Sequence, residues 1–168
     1  GANDAPIASG TYETEYVDTA VLDTFAPFTG DLAATDADDD DASLTWSVDD
    51  GVSAFGTLTV DLDGAFAFAP DGAAINALPA LDVRTLRFTA VVADPAGATD
   101  TREIVVTLRG ANDTPTAGPI ADQASDDGET ITPLDLSGAF DDVDDGDVLT
   151  FVATGLPLGL TMDPSTAV

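Results

Sequence analysis

Three acidic runs dominate the chemistry this sequence can perform. They are Asp36-Ala37-Asp38-Asp39-Asp40-Asp41, the looser Asp94-Pro95-Ala96-Gly97-Ala98-Thr99-Asp100, and Asp141-Asp142-Val143-Asp144-Asp145-Gly146-Asp147. Closely spaced carboxylates are hard oxygen donors. Calcium takes about 6–8 such oxygens at roughly 2.3–2.6 Å, so carboxylates from two loops, with linker carbonyls and water, fill one shell. Without a cation the same groups repel one another. The pattern also repeats: Asn3/Asp4 precede Asp36/Asp38, and Asn112/Asp113 precede Asp142/Asp144. That repetition favours calcium over the alternative for any single acidic run, a merely solvated loop. Neither a calcium EF-hand loop, with its fixed Gly and terminal Glu, nor a Gly-Gly-x-Gly-x-Asp nonapeptide is present.

Composition narrows the chemistry further. Across 168 residues, 32 acids face 4 bases for a net charge of −28; 28 of the acids are Asp, and all four bases are Arg. Asp serves turns between strands and coordinates hard cations, whereas nucleic acid and anionic membranes are poor partners for such a chain. The absence of Cys and His removes disulfides, thiolate or imidazole metal sites and Ser-His or Cys-His dyads. A paired-carboxylate glycosidase is the remaining enzyme alternative, but abundant Asp alone defines no pair in a cleft, so no enzyme is expected. The hydrophobic fraction of 44% is that of a folded protein. No stretch reaches the ~18 apolar residues of a membrane span. The opening residues do not read as a signal peptide, and the sequence reads as a piece of something longer.

The elements that must position these acids read as strands. Alternation at Leu44/Trp46/Val48, Leu58/Val60/Leu62, Phe66/Phe68, Leu86/Phe88/Ala90/Val92 and Ile104/Val106/Leu108 predicts half-buried β-structure. Asp63-Gly64 supplies the positive φ angles of a tight hairpin turn within residues 56–68. Only Asp71 to Leu78 reads as helical, and Trp46 as a core residue between two sheets. A hexapeptide divides the chain: Gly1-Ala2-Asn3-Asp4-Ala5-Pro6 recurs as Gly110-Ala111-Asn112-Asp113-Thr114-Pro115, a spacing near the ~100 residues of an immunoglobulin-sized sandwich. The expected fold is all-β, a tandem Greek-key β-sandwich with one complete module at 1–113 and a partial, truncated second at 114–168. Its first strands are expected at Leu134/Leu136, Leu149/Phe151 and Leu158/Leu160. In the first module, Asn3, Asp4, Asp36, Asp38 and Asp94 are expected to converge at one end, where the acidic loops meet the incoming linker.

Residues 33 to about 115 resemble a VCBS repeat. The resemblance rests on the D-x-D loop, Phe55-Gly56-Thr57-Leu58-Thr59-Val60, Asp63-Gly64-Ala65-Phe66, Val91-Val92-Ala93-Asp94-Pro95-Ala96-Gly97 and the closing Gly-Ala-Asn-Asp-Thr-Pro. Residues 119–168 resemble the start of a dystroglycan-type cadherin-like domain, in Asp122-Gln123, Gly128-Glu129, Asp135-Leu136-Ser137, Phe140-Asp141-Asp142, Gly146-Asp147-Val148-Leu149-Thr150-Phe151 and Gly155-Leu156-Pro157. The resemblance implies cadherin-like modules of a large bacterial RTX-type surface adhesin, exported by type I secretion and active in cell adhesion or biofilm. By analogy with cadherins it implies Ca²⁺ at the module junction. The ion would be held by Asn112/Asp113, Asp142/Asp144 and an acid from the base of the first module, for which Glu13, and after it Glu15, resembles the early-strand Glu.

The function that follows is a calcium-dependent structural extender whose partners are neighbouring modules of the same chain. Two alternatives stay open at this stage. One is an adhesive module that itself binds glycan or protein, which predicts an exposed aromatic cluster. The other is an assembly module that makes homotypic contact through its incomplete half by strand addition.

Overall fold

A computed structural model describes residues 2–126 and 128–168; Gly1, which opens the first hexapeptide and the expected first module, and Asp127 lie outside the described residues. The strands run in chain order: β1 (Ile7–Ser9), β2 (Tyr12–Val17), β3 (Phe28–Asp31), β4 (Ala33–Thr35), β5 (Thr45–Val48), β6 (Val52–Ser53), β7 (Gly56–Val60), β8 (Ala65–Pro70), β9 (Val83–Ala93), β10 (Thr99–Arg109), β11 (Thr116–Ala117) and β12 (Phe140–Asp141). One helix, α1 (Gly72–Asn76), lies between β8 and β9. Asp71 caps it, its carboxylate accepting from the Ala73 and Ala74 amides. A capping Asp of this kind satisfies amides that the first helical turn leaves free.

Two four-stranded sheets, ordered β2-β10-β9-β5 and β3-β8-β7-β6, face each other in a β-sandwich, so the chain is all-β as its alternation predicts. Period two puts Phe88, Ala90 and Val92 of β9 and Ile104, Val106 and Leu108 of β10 on the inner face, where all are buried. Trp46 of β5 and Phe68 of β8 join them from both sheets. The apolar residues of these strands are therefore spent on one core, and truncating Trp46 to Ala would cost about 3–5 kcal/mol.

The first strand is split. β1 pairs antiparallel with β4, and β2 then pairs parallel with β10. Gly10 makes the crossing, at φ +92°, and a Cβ there would stand 2.6 Å from the Tyr12 hydroxyl.

Two expectations need correction. The hairpin lies where the sequence puts it, but β7 ends at Val60 and Leu62 is exposed. The Asp61 amide bonds the Ala65 carbonyl and the Gly64 amide bonds the Asp61 carbonyl. Of Asp63 and Gly64 only Gly64 has positive φ, +94°. This is a turn closed by a left-handed glycine rather than a two-residue primed turn. Gly64 is required there, since a Cβ would meet the Trp46 ring at 2.9 Å.

The second correction concerns residues 114–168. Their described strands are the short β11 and β12, paired with each other. Leu134/Leu136, Leu149/Phe151 and Leu158/Leu160 form none. Phe151 instead meets Phe140 edge-on at 5.3 Å, and Leu158 faces solvent. Alternation needs a ladder of backbone hydrogen bonds to become a strand, and among the described residues these runs make only isolated ones, such as those from the Leu136 amide to the Ala167 carbonyl and from the Phe151 amide to the Pro164 carbonyl.

Candidate metal centres

The eleven-residue hairpin of β9 and β10 sets the distance between two acidic clusters. Ala93 pairs with Thr99 at one end and Val83 with Arg109 at the other. At about 3.4 Å per residue the ends lie roughly 34 Å apart. Asp94 follows the tip end, and Gly110 to Asp113 leave from the other.

At the tip end, Asp36 follows β4 and organises its own loop. Its Oδ1 accepts from the Asp38 amide at 2.8 Å and the Asp39 amide at 3.1 Å. Asp38 Oδ2 in turn accepts from the Asp4 amide at 2.7 Å. Asn3 Nδ2 donates to the Asp4 carbonyl and, at 2.7 Å, to Asp94 Oδ2. Asp94 Oδ1 accepts from the Ala98 amide. Carboxylate oxygens of Asp36, Asp39 and Asp94 lie within 4.8 Å of one another. The Asn3 bond, above all, holds the Asp94 carboxyl below the ordinary Asp range, whereas burial and then Asp36 push Asp39 up.

The other end repeats the lattice. Asp142 Oδ1 accepts from the Asp144 amide at 3.0 Å, Asp144 Oδ2 from the Asp113 amide at 2.7 Å, and Asn112 Nδ2 donates to the Asp113 carbonyl at 2.6 Å. Oxygens of Asp142, Asp144 and Asp147 lie within 4.8 Å of one another. The third contributor differs: Asp18, next after β2, is buried, with its Oδ2 accepting from the Ala111 amide. Burial, followed by the negative charge of Asp144, Asp142 and Asp23, raises the Asp113 carboxyl. Burial is also the main cause for Asp18, opposed by the Ala111 amide and reinforced by Asp113 and Asp23.

Buried carboxylate oxygens normally find donors, and one left alone costs about 1–3 kcal/mol, more when charged. Here Asp36 Oδ2, Asp18 Oδ1, Asp113 Oδ2 and Asp144 Oδ1 have none. Asp36 and Asp144 belong to the two clusters, Asp113 is tied to Asp144 through its amide, and Asp18 is tied to the linker through the Ala111 amide. Oxygen-only donors, clustered and unpaired by any Lys or Arg, fit a hard divalent cation and no soft one.

Of the residues singled out in the sequence, Asn3, Asp4, Asp36, Asp38 and Asp94 meet at one end. Asn112, Asp113, Asp142 and Asp144 meet at the other. Glu13 reaches neither, and Glu15 is engaged by Arg109. The reason is strand parity: Glu13 and Glu15 point outward from β2, whereas Asp18 falls in step with buried Tyr16. Tyr12-x-x-x-Tyr16-x-Asp18 carried that signal, a carboxylate continuing the apolar face of a strand. Asp39 and Asp147 were hidden among neighbouring acids, where spacing alone does not choose one.

A family model for the bacterial cadherin-like domain matches residues 3–110. Among solved structures, human CDH23 EC21-23 is 21% identical with a TM-score of 0.45, the match covering 99% of this chain and 54% of that one. Mouse Cadherin-23 EC22-24 is 19% identical with a TM-score of 0.41, over 97% and 52% respectively. The Protocadherin GammaB4 extracellular domain is 15% identical with a TM-score of 0.39, over 97% and 28%. The chain thus spans about half the length of the first two. Comparison with curated proteins gave no match.

Proposed function

The chain belongs to the bacterial cadherin-like domain family, and from that premise we propose that it is a calcium-dependent structural extender of a large bacterial cell-surface adhesin. Residues 1–113 form one module and residues 114–168 the start of the next. Outside the cell, strings of such VCBS-type modules, exported by type I secretion, hold a distal adhesive domain away from the surface. The observation that carries this reading is the duplicated lattice with its orphaned carboxylate oxygens, one copy at each end of the sandwich.

In this reading Asp36, Asp39 and Asp94 hold one Ca²⁺ site beside Asn3 and Asp4. Asp18, Asp113, Asp142, Asp144 and Asp147 hold the other, beside Asn112. Bound calcium supplies the positive charge that these oxygens lack. The chain's own part is to fix the linker: the Asp144 carboxylate holds the Asp113 amide and the Ala111 amide holds Asp18. The end of β2, the linker and the Asp142 loop thereby become one unit. With the carboxylates unneutralised, repulsion loosens that unit, which suits a chain that passes a narrow export channel before it folds.

Thermal unfolding in EDTA, in millimolar Ca²⁺ and in Mg²⁺ at matched ionic strength tests the proposal. A site at a hundredfold excess over Kd adds about 2.7 kcal/mol. For a chain of this size that raises Tm by about 5–10 °C per site. The rise is expected for Ca²⁺ and not for Mg²⁺. Equal stabilisation by both salts would reduce the acids to screened surface charge and sink the reading.

A further inference from the structure

β9 is eleven residues long, yet β5 pairs only with its Ala90–Ala93 half. Among the described residues, the backbone of Val83–Thr89 has a neighbour, β10, on one side only. The open side is a slot about 20 Å long, stopped at one end by Val48, which pairs with Ala90. Beside it runs a groove of about 370 Å³ lined by Asp49, Asp50, Val52, Leu86 and Phe88 among others. Val52 is 71% and Val83 47% exposed. A free, partly apolar edge of this kind is a template for another strand.

Its charge is unlike the rest of the molecule. Val83-Arg84-Thr85-Leu86-Arg87-Phe88-Thr89 holds two of the four bases and no acid; Arg84 pairs with Asp82 and Arg87 with Glu103, which leaves the edge near neutral where most of the chain is acidic. The free edge of β2, at the opposite side of the same sheet, instead carries Glu13 beside Glu15, the latter engaged by Arg109.

We propose that the occupant of the β9 slot is the same slot of a second copy, paired antiparallel about a two-fold axis near Leu86. Such pairing sets Val83 opposite Thr89, Arg84 opposite Phe88 and Thr85 opposite Arg87, with no like charges directly facing. It is self-complementary at the ends as well. Asp49 and Asp50 follow Val48 and so stand at the Thr89 end, where the second copy's Arg84 arrives. Arg84 holds Asp82 through Nε and Nη2 and remains 56% exposed. An isologous contact makes this exchange twice. At physiological salt, screening over about 8 Å leaves local charge rather than the net −28 to decide the contact. The pairing is independent of the calcium reading, and an interface of two short strands is of the weak, concentration-dependent kind.

Light scattering on the whole chain tests this, over a concentration series in EDTA and again in Ca²⁺. The mass is expected to rise from 17.0 kDa toward twice that in both media. Arg84→Glu places acid against Asp49 and Asp50 and should return the mass to that of one chain. Asp50→Arg combined with Arg84→Glu should restore the rise. Both positions are exposed and their own bonds, Arg84 to Asp82 and Asp50 to the Val52 amide, are surface ones, so circular dichroism should match wild type and Tm fall only slightly. A single-chain mass at every wild-type concentration overturns the proposal and makes Arg84 and Arg87 charges that keep the edge from pairing. A dimer that survives Arg84→Glu, or a double variant that stays monomeric, overturns it equally. The calcium reading fails on a different observable, the Ca²⁺-specific Tm shift.

Discussion

The two ends of the sandwich share three hydrogen bonds and differ in what surrounds them. At the tip end, Asp94 is held by Asn3, the Ala98 amide and its own loop, and its carboxyl is lowered. At the linker end, Asp18 and Asp113 are raised, and three buried oxygens, of Asp18, Asp113 and Asp144, lack a partner. The tip end has one, of Asp36. A common sequence grammar therefore builds one backbone lattice, while the neighbours decide whether its charge is satisfied from within. On the calcium reading, the linker end, with three orphaned oxygens against one, leans on a cation more than the tip end does.

The largest effect expected from this difference is that of Asp144→Ala set against Asp38→Ala. Each residue accepts the amide of the linker Asp, but Asp144 and Asp113 are buried and Asp38 and Asp4 exposed. Losing Asp144 strands a buried amide, at about 1–3 kcal/mol, and removes a ligand from the proposed site, which would contribute about 2.7 kcal/mol at hundredfold excess. Losing Asp38 leaves an amide that water can reach. Calorimetry in Ca²⁺ should show a clearly lower Tm for the first variant and a small change for the second; equal losses would erase the distinction between the ends.

Isosteric neutralisation sharpens the comparison by changing sign. Asp113→Asn removes a charge that burial and Asp144 already oppose, so the variant should be more stable than wild type in EDTA and less stable in Ca²⁺. Asp94→Asn removes an acceptor that its neighbours favour in the charged form and should lower stability in both. Paired melts of the two variants read the inversion directly. Its absence at residue 113 would place that carboxylate outside any site.

Acid titration should expose the raised carboxyls next. Asp18 and Asp113 at the linker end, and Asp39 at the tip end, bind protons more readily folded than at their ordinary 3.8. Just above 3.8 the folded state then holds more protons than the unfolded one, and stability rises as pH falls. Asp94 and Asp100 are lowered, so their contribution is present above 3.8 and is lost as pH drops through their folded values. In EDTA, unfolding against pH should show a maximum a little above 3.8. In Ca²⁺ the gain on acidification should vanish, because protonation there displaces the ion. A monotonic fall from neutral pH in EDTA would contradict the raised carboxyls of Asp18, Asp113 and Asp39.

What the sequence made legible follows the same division. Alternation located β5, β7, β8, β9 and β10 because each has a paired neighbour and a buried face. The identical alternation at Leu149/Phe151 located no strand, since periodicity records which side of a strand is apolar and says nothing of what lies beside it. Nine of the ten residues read as ligands fall at the two ends, because linker and loop spacing fixes which loops meet. Glu13 did not, because parity along β2 turns it outward. Asp18 lay two residues past buried Tyr16, and the inward face of that strand rather than its chemistry marked it out.

The smallest expected effect tests whether the side-chain amides of the linkers are equivalent. Asn3 Nδ2 bridges the Asp4 carbonyl and Asp94 Oδ2, whereas Asn112 Nδ2 reaches only the Asp113 carbonyl among the described residues. Asn112→Ala therefore removes a local bond and should leave neighbouring titrations in place. Asn3→Ala removes the largest influence lowering the Asp94 carboxyl, and burial, the next in size, acts in the opposite direction. Carboxyl-detected NMR in EDTA should then show Asp94 titrating at higher pH in Asn3→Ala than in wild type, with little change in Tm. Ca²⁺ should abolish the difference, since a cation on the Asp94 carboxylate replaces the lost amide. An Asp94 titration indifferent to Asn3 would mean that the tip end is satisfied by its loop amides alone, and the contrast between the ends would rest on Asp18 and Asp113.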